Sequence, residues 1–196
     1  NVTTGSSNVA IGKGALTADT TGAQNVAIGG YYNASYVGAM GANTVGSECV
    51  AIGTAALQTA NENDNDGTVA IGWGACRVQA GTGGAQFANA TTAIGHKALT
   101  ALTTGAGNTA VGFNTLMSGT TEAKSTAIGC YAASEALDGS NGVFVGYGAG
   151  RYLHTGNDNC TAVGYQALGA DHGSNAAEKI TAIGSGAVGG VITSGA

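Results

Sequence analysis

The chain has no proline, and only 9% of its 196 residues are charged. Aromatic residues make up 6%, with a single Trp. Each shortage closes off a class of protein. Without Pro, the 36 glycines do not belong to a Pro/Gly-rich low-complexity segment. The composition of a disordered chain is also missing, since 43% of residues are hydrophobic and the net charge is −5. Six Lys/Arg are scattered singly, so no basic stripe is present to grip a phosphate backbone. No apolar run approaches the roughly 18 residues of a membrane span. No signal peptide is visible, and Asn1 in place of Met points to a processed product or a piece of a longer chain. Cys49, Cys76, Cys130 and Cys160 show neither a CxxC pair nor metal-ligand spacing. They read as small buried thiols, and their spacing does not pair them.

What is present is one short phrase, repeated. It runs as NVAIGKGAL from Asn8, GNTAVGFNTL from Gly107 and CTAVGYQAL from Cys160. The Gly that closes each phrase falls at Gly12, Gly29, Gly53, Gly72, Gly95, Gly112, Gly129, Gly146, Gly164 and Gly184. The intervals are 17, 24, 19, 23, 17, 17, 17, 18 and 20 residues, so the basic unit is 17 and the longer ones carry insertions. One residue before the Gly stands Ile11, Ile28, Ile52, Ile71, Ile94, Val111, Ile128, Val145, Val163 or Ile183. Three before it stands Val or Thr, five copies of each. Between them is Ala in nine copies and Phe144 in the tenth.

Such a phrase reads as a short strand followed by a turn. Side chains alternate across a strand, so the Val/Thr and Ile/Val columns share one face and Ala takes the other. β-Branched residues suit that role. The Gly supplies a sharp turn or a positive φ. A second short strand, written Ala-Leu, is expected three residues later, then a polar return written three times as Thr-Thr-Gly-x-x-Asn. A helix is excluded, because Gly recurs too often and the apolar period is two. The expected fold is therefore all-β: a single-domain parallel β-solenoid over 1–196, of about ten stacked coils with loops bulging between phrases. By size, the ten Ile/Val residues are expected as the core. The Ala face then becomes a surface for close contact with another sheet or chain, and the Thr column lies inside. An inward Thr column argues against ice binding, which needs a flat outward Thr array. With about three large apolar residues per coil the core is thin, and the roll gains from partners.

The phrase [NS]-[VT]-A-[IV]-G-x-x-A, carried from Asn8 to Val188, resembles the head repeats of trimeric autotransporter adhesins, the YadA-like heads. It is also similar to the N-T-A-V-G-x-x-A-L runs of phage tail fibres. The resemblance implies a left-handed β-roll, three chains side by side, and an extracellular adhesive role. The 17-residue unit is longer than that of the adhesin heads.

Ends without caps add a further expectation. From Gly184 to the Gly12 of a following copy is 24 residues, equal to the longest internal interval. Either the chain sits within a longer fibre, or separate subunits stack head-to-tail into a filament.

Candidate sites are few. The residue after the phrase Gly is aromatic or His five times: Trp73, His96, Phe113, Tyr147 and Tyr165. Such a column is either a set of ring faces for sugars or flat apolar partners, or a ladder packed at a corner or a subunit contact. Glu62, Asp64 and Asp66, followed by Gly67, have the alternating acidic spacing of a calcium loop. The twelfth position, Trp73, cannot ligate, so an EF-hand is excluded. A looser Ca²⁺ site and a solvated acidic loop both stay open, and no other cofactor is expected. His96, His154 and His172 lie in different coils, and no catalytic grouping follows from the spacing. No phosphate-binding GxxxxGK[ST] motif occurs. Asn-x-Ser/Thr stands at Asn1, Asn33, Asn89 and Asn159, at a frequency chance explains in so Asn- and Thr-rich a chain.

The expectation is a non-enzymatic extracellular fibre segment, structural and adhesive, of a bacterial surface or phage tail. Its partners are copies of itself and a glycan or protein receptor, with no nucleic acid. A self-assembling filament subunit and a glycan-binding or glycan-active solenoid are the alternatives.

Overall fold

The structure, a computed structural model, describes residues 4–59, 66–78, 90–137, 139–153, 158–170 and 179–189. Ten strands of three residues form one sheet in sequence order: β1 (Val9–Ile11), β2 (Val26–Ile28), β3 (Val50–Ile52), β4 (Val69–Ile71), β5 (Thr92–Ile94), β6 (Thr109–Val111), β7 (Thr126–Ile128), β8 (Val143–Val145), β9 (Thr161–Val163) and β10 (Thr181–Ile183). All pairs are parallel and in register, so Ala27 faces Ala51 and Ala51 faces Ala70. Each repeated phrase is one strand of a parallel β-solenoid. No helix among the described residues is long and apolar enough to cross a membrane.

Coil-to-coil hydrogen bonds explain the repeat. Val50 N–H donates to Thr68 O at 2.9 Å, and Gly53 N–H to Ile28 O at 2.7 Å. The polar return is fastened by its Asn. Asn25 Nδ2 donates to Gly46 O at 2.8 Å, and its Oδ1 accepts from Cys49 N–H at 3.0 Å. Asn108 does the same with Glu122 O and Ser125 N–H. A buried amide thus satisfies backbone groups that a corner would otherwise orphan.

The inside of the roll is the reverse of the size-based expectation. The central Ala of strands β2 to β7 and β9 is fully buried, and Phe144 of β8 is nearly so. The Ile/Val column points outward. Ile11, Ile94, Ile128 and Ile183 are exposed, Ile183 by 70%, while Ile28, Ile52, Ile71, Val111, Val145 and Val163 are half-buried. The Val/Thr column shares that outer face, so the Thr residues are not inside. Alternation defines two faces but not which one is inner. Here the coil is too narrow for two large columns, and the space opposite the sheet is already filled from the other wall. Leu16, Met40, Leu57, Leu99, Leu116 and Leu168 all enter from there, buried, with Leu102 and Leu153 behind them.

That opposite wall is not a second strand. Its Leu-type residues adopt positive φ, such as Leu57 at 47°, Leu99 at 51° and Leu168 at 50°. A left-handed residue costs roughly 1–2 kcal/mol. Here the turn aims the side chain inward and keeps the wall bonded. Leu57 N–H donates to Ala75 O at 2.9 Å, and Leu99 N–H to Thr115 O at 3.0 Å. The insertion after Gly29 lies between phrases, as expected, and it opens before the second segment rather than after it. The Ala of the second segment is Ala39, seven residues later than usual, and it takes Leu16 N–H at 3.2 Å.

Candidate binding surface along the aromatic ladder

Residues that follow the phrase Gly lie above one another, because the coils are in register. The five rings selected by spacing therefore fall in one file. Trp73 and His96 stack with centroids 5.0 Å apart and planes at 12°. His96 and Phe113 stack at 5.1 Å and 12°, and Tyr147 and Tyr165 at 5.5 Å and 12°. Cys130 interrupts the column, and Tyr131, one residue further on, bridges the gap. It meets Phe113 at 5.4 Å and Tyr147 at 6.1 Å, both edge-on. At the other end Tyr36, from the insertion, tilts against Trp73 at 4.8 Å and 40°. Spacing missed Tyr36 and Tyr131. The interruption at Cys130 was the one signal pointing to the second.

This packing changes what the column offers. Most ring faces are consumed by neighbouring rings, so the file presents mainly its rims. Aromatic rims carry the positive side of the ring quadrupole. Cations reinforce it. The Arg77 guanidinium lies 5.3 Å from the Tyr36 centroid, and Lys97 Nζ lies 5.5 Å from that of Trp73. Arg151 sits 4.8 Å from Tyr131, and Lys13 5.1 Å from Tyr31. Arg151 also meets Glu135 at 3.5 Å, the one ion pair among the described residues. Four of the six Lys/Arg thus stand on this edge.

Acidic groups gather on the polar return instead. Asp66, part of the calcium expectation, has its Oδ1 2.7 Å from Ser47 N–H. Asp158 accepts from Ser140 N–H at 2.8 Å in the corresponding corner. Asp66 is thereby engaged as a corner cap. Glu62 and Asp64 lie outside the described residues, as do His154 and His172. Among the described residues no cluster of three His, Cys, Asp or Glu could hold a metal. His96 is occupied between two rings.

An open cleft of about 380 Å³ lies where the ladder changes tilt. Tyr36, Trp73, Arg77 and Lys97 line it together with Thr100, Ala101, Met117 and Ser118. Its size is that of a small-ligand site.

The four cysteines form no disulfide. Burial pushes the Cys49 and Cys76 thiols up to about 12, with each other's proximity adding to it at Cys76. Asp19 is fully buried. Its Oδ1 accepts from Gly22 N–H at 3.0 Å, yet burial raises its pKa above the ordinary carboxylate value.

The fold defines the class: a parallel β-solenoid repeat protein with an outward β-branched face and an aromatic, cationic edge. Comparison with protein-family models, curated proteins and solved structures finds no match to this chain.

Proposed function

We propose that the chain is a non-enzymatic structural and adhesive segment of an extracellular fibre, of the bacterial-surface or phage-tail kind. It works as an assembly of copies of itself, packed through the outer face of the sheet. The observation that carries this reading is the outward Val/Thr and Ile/Val columns. All ten strands contribute, and neither column holds a charged residue. Ten strands make a β-branched strip about 43 Å long at the usual strand spacing. Strips of that extent on a soluble surface are typically contact surfaces. Five of ten residues in one column are Thr and none in the other, so the strip is rich in methyl groups and is not a regular hydroxyl lattice.

Sedimentation velocity across a concentration series tests the reading. The wild-type chain is expected to associate into a discrete oligomer. Ile94→Lys with Ile128→Lys is expected to give a folded monomer, since both side chains point outward. A wild-type chain that stays monomeric at every concentration would overturn the reading. Growth without limit would favour head-to-tail stacking, because among the described residues β1 and β10 each pair on one side only.

A further inference from the structure

We propose that the cleft formed by Tyr36, Trp73, Arg77, Lys97, Met117 and Ser118 binds a carboxylated sugar unit of a surface polysaccharide. The inference supplies the receptor class for the adhesive half of the proposed function, and rests on that reading. Charge is the first argument. In a chain of net charge −5, Arg77 and Lys97 line one cleft, and no described carboxylate lies within ion-pair distance of either. Each is held over a ring, so the cations are positioned before a ligand arrives. A guanidinium beside an ammonium suits a carboxylate, which the planar fork of Arg can take in bidentate fashion.

Shape and polarity are the second argument. Trp73 has one face covered by His96 and the other crossed by Tyr36 at 40°. A flat aromatic ligand therefore cannot insert into the stack. A saturated ring can lie against the Trp73 rim and the Met117 thioether, while its hydroxyls meet Thr100 and Ser118 on the lining. Charge density is the third argument. Duplex DNA carries about one charge per 1.7 Å of axis. Four cations spread along the edge, only two of them in this cleft, do not match that density. One carboxylate per sugar ring does.

Isothermal titration of the purified chain tests this, using a short oligogalacturonate and its methyl ester, which has the same rings without the charge. The acid form is expected to bind and the ester to bind at least about tenfold more weakly. Arg77→Gln and Lys97→Gln remove the charge that lies over each ring and leave a neutral polar side chain. Each is expected to weaken binding by about tenfold with unchanged thermal unfolding. Lys179→Gln, exposed on the polar return, is expected to bind as wild type. Equal binding of the ester, or equal binding by the Arg77 and Lys97 variants, overturns the proposal. So does binding of a poly-aspartate peptide or oligo-dT as tight as that of the acid sugar, which would mean unselective polyanion attraction. Glu62→Gln with Asp64→Asn is expected to leave the affinity unchanged. A large gain there would show that this acidic segment competes for the same cations, and would overturn the cleft as a free site. Sedimentation of the same samples reports self-association separately, so failure of the sugar site and failure of the assembly are distinct results.

Discussion

The ring of Phe144 occupies the space that a side chain on Gly150 would need, since a Cβ at Gly150 would overlap Phe144 Cδ1 and Cε1. The two residues exchange the roles seen elsewhere in the roll. In most other coils the strand centre is Ala and the opposite wall supplies the bulk, as with Ala110 and Leu116, although the coil of β7 has Ala127 and Ala133 in these places. Here the bulk comes from the strand, and the wall retreats to Gly. The core tolerates the swap because the total volume is kept. Phe144→Ala should lose about 3–5 kcal/mol by leaving a cavity. Gly150→Leu alone should lose about 1–3 kcal/mol by overpacking. The double variant should be more stable than either single one, because Leu already occupies this column at the same backbone angle, 51° at Leu99 against 62° at Gly150. Recovery should be partial, since Leu153 Cδ1 lies 3.1 Å from the new Cβ. Urea unfolding of the four proteins measures this, and additive losses would refute the exchange.

Turn glycines differ in how much they constrain the chain. Gly53 has φ of 127°, and a Cβ there would stand 2.6 Å from Gly72 O in the next coil. The same φ region recurs at Gly184, 122°, but among the described residues nothing lies nearer to its Cβ position than Ala187 Cβ at 4.0 Å. Gly53→Ala therefore meets backbone strain and a carbonyl, and Gly184→Ala meets strain alone. Strain of this kind costs about 1–3 kcal/mol. Gly53→Ala should unfold at a lower temperature than Gly184→Ala, by the margin of the coil contact. Equal melting temperatures would show that the spacing between coils relaxes freely.

The repeat was legible because every coil must present the same hydrogen-bonding groups to its neighbours. The ten phrases are the ten strands, and their closing glycines, apart from Gly29 beside the insertion, have φ between 112° and 143°. The inside of the roll was not legible. Alternation at Val26, Ala27 and Ile28 is equally consistent with either face being inner, and choosing the larger side chains picked the wrong one. The deciding fact is non-local: Leu57 and Leu99 reach across from the far wall and leave room only for Ala51 and Ala93. The ladder was legible as a column at Trp73, His96 and Phe113. Its faces were not, because whether rings stack or splay depends on how far apart the coils sit.

Thiol chemistry should separate the cysteines by burial. Cys49 and Cys76 are buried with thiols pushed up to about 12. At pH 8 roughly one in ten thousand of each would be thiolate, and the thiolate is the reactive form. Cys130 lies half-exposed at the interruption of the ring column. Maleimide at pH 8 should therefore modify Cys130 in the native chain, while Cys49 and Cys76 label only after denaturation. Mass mapping of the labelled peptides checks this. Native labelling of Cys76 at a rate close to that of Cys130 would mean that the coils open far more often than their bonding implies.

Acid should favour the fold at Asp19. Its folded pKa is raised by burial above the ordinary value of 3.8. Between the unfolded and folded values the unfolded chain has lost the proton and the native chain still holds it. The native state then binds more protons, so stability falls as pH rises through that window and levels off above it. Asp19→Asn removes the titration and keeps an oxygen for Gly22 N–H, the 3.0 Å bond that closes the turn. The variant should gain on wild type as pH rises from below that window towards neutrality, and the gain should vanish below pH values of about 3. Unfolding free energies of both proteins across that range decide it. A difference that stays flat with pH would show that the Asn8 and Asn43 amides, each 3.4 Å from the carboxylate, compensate its burial in full.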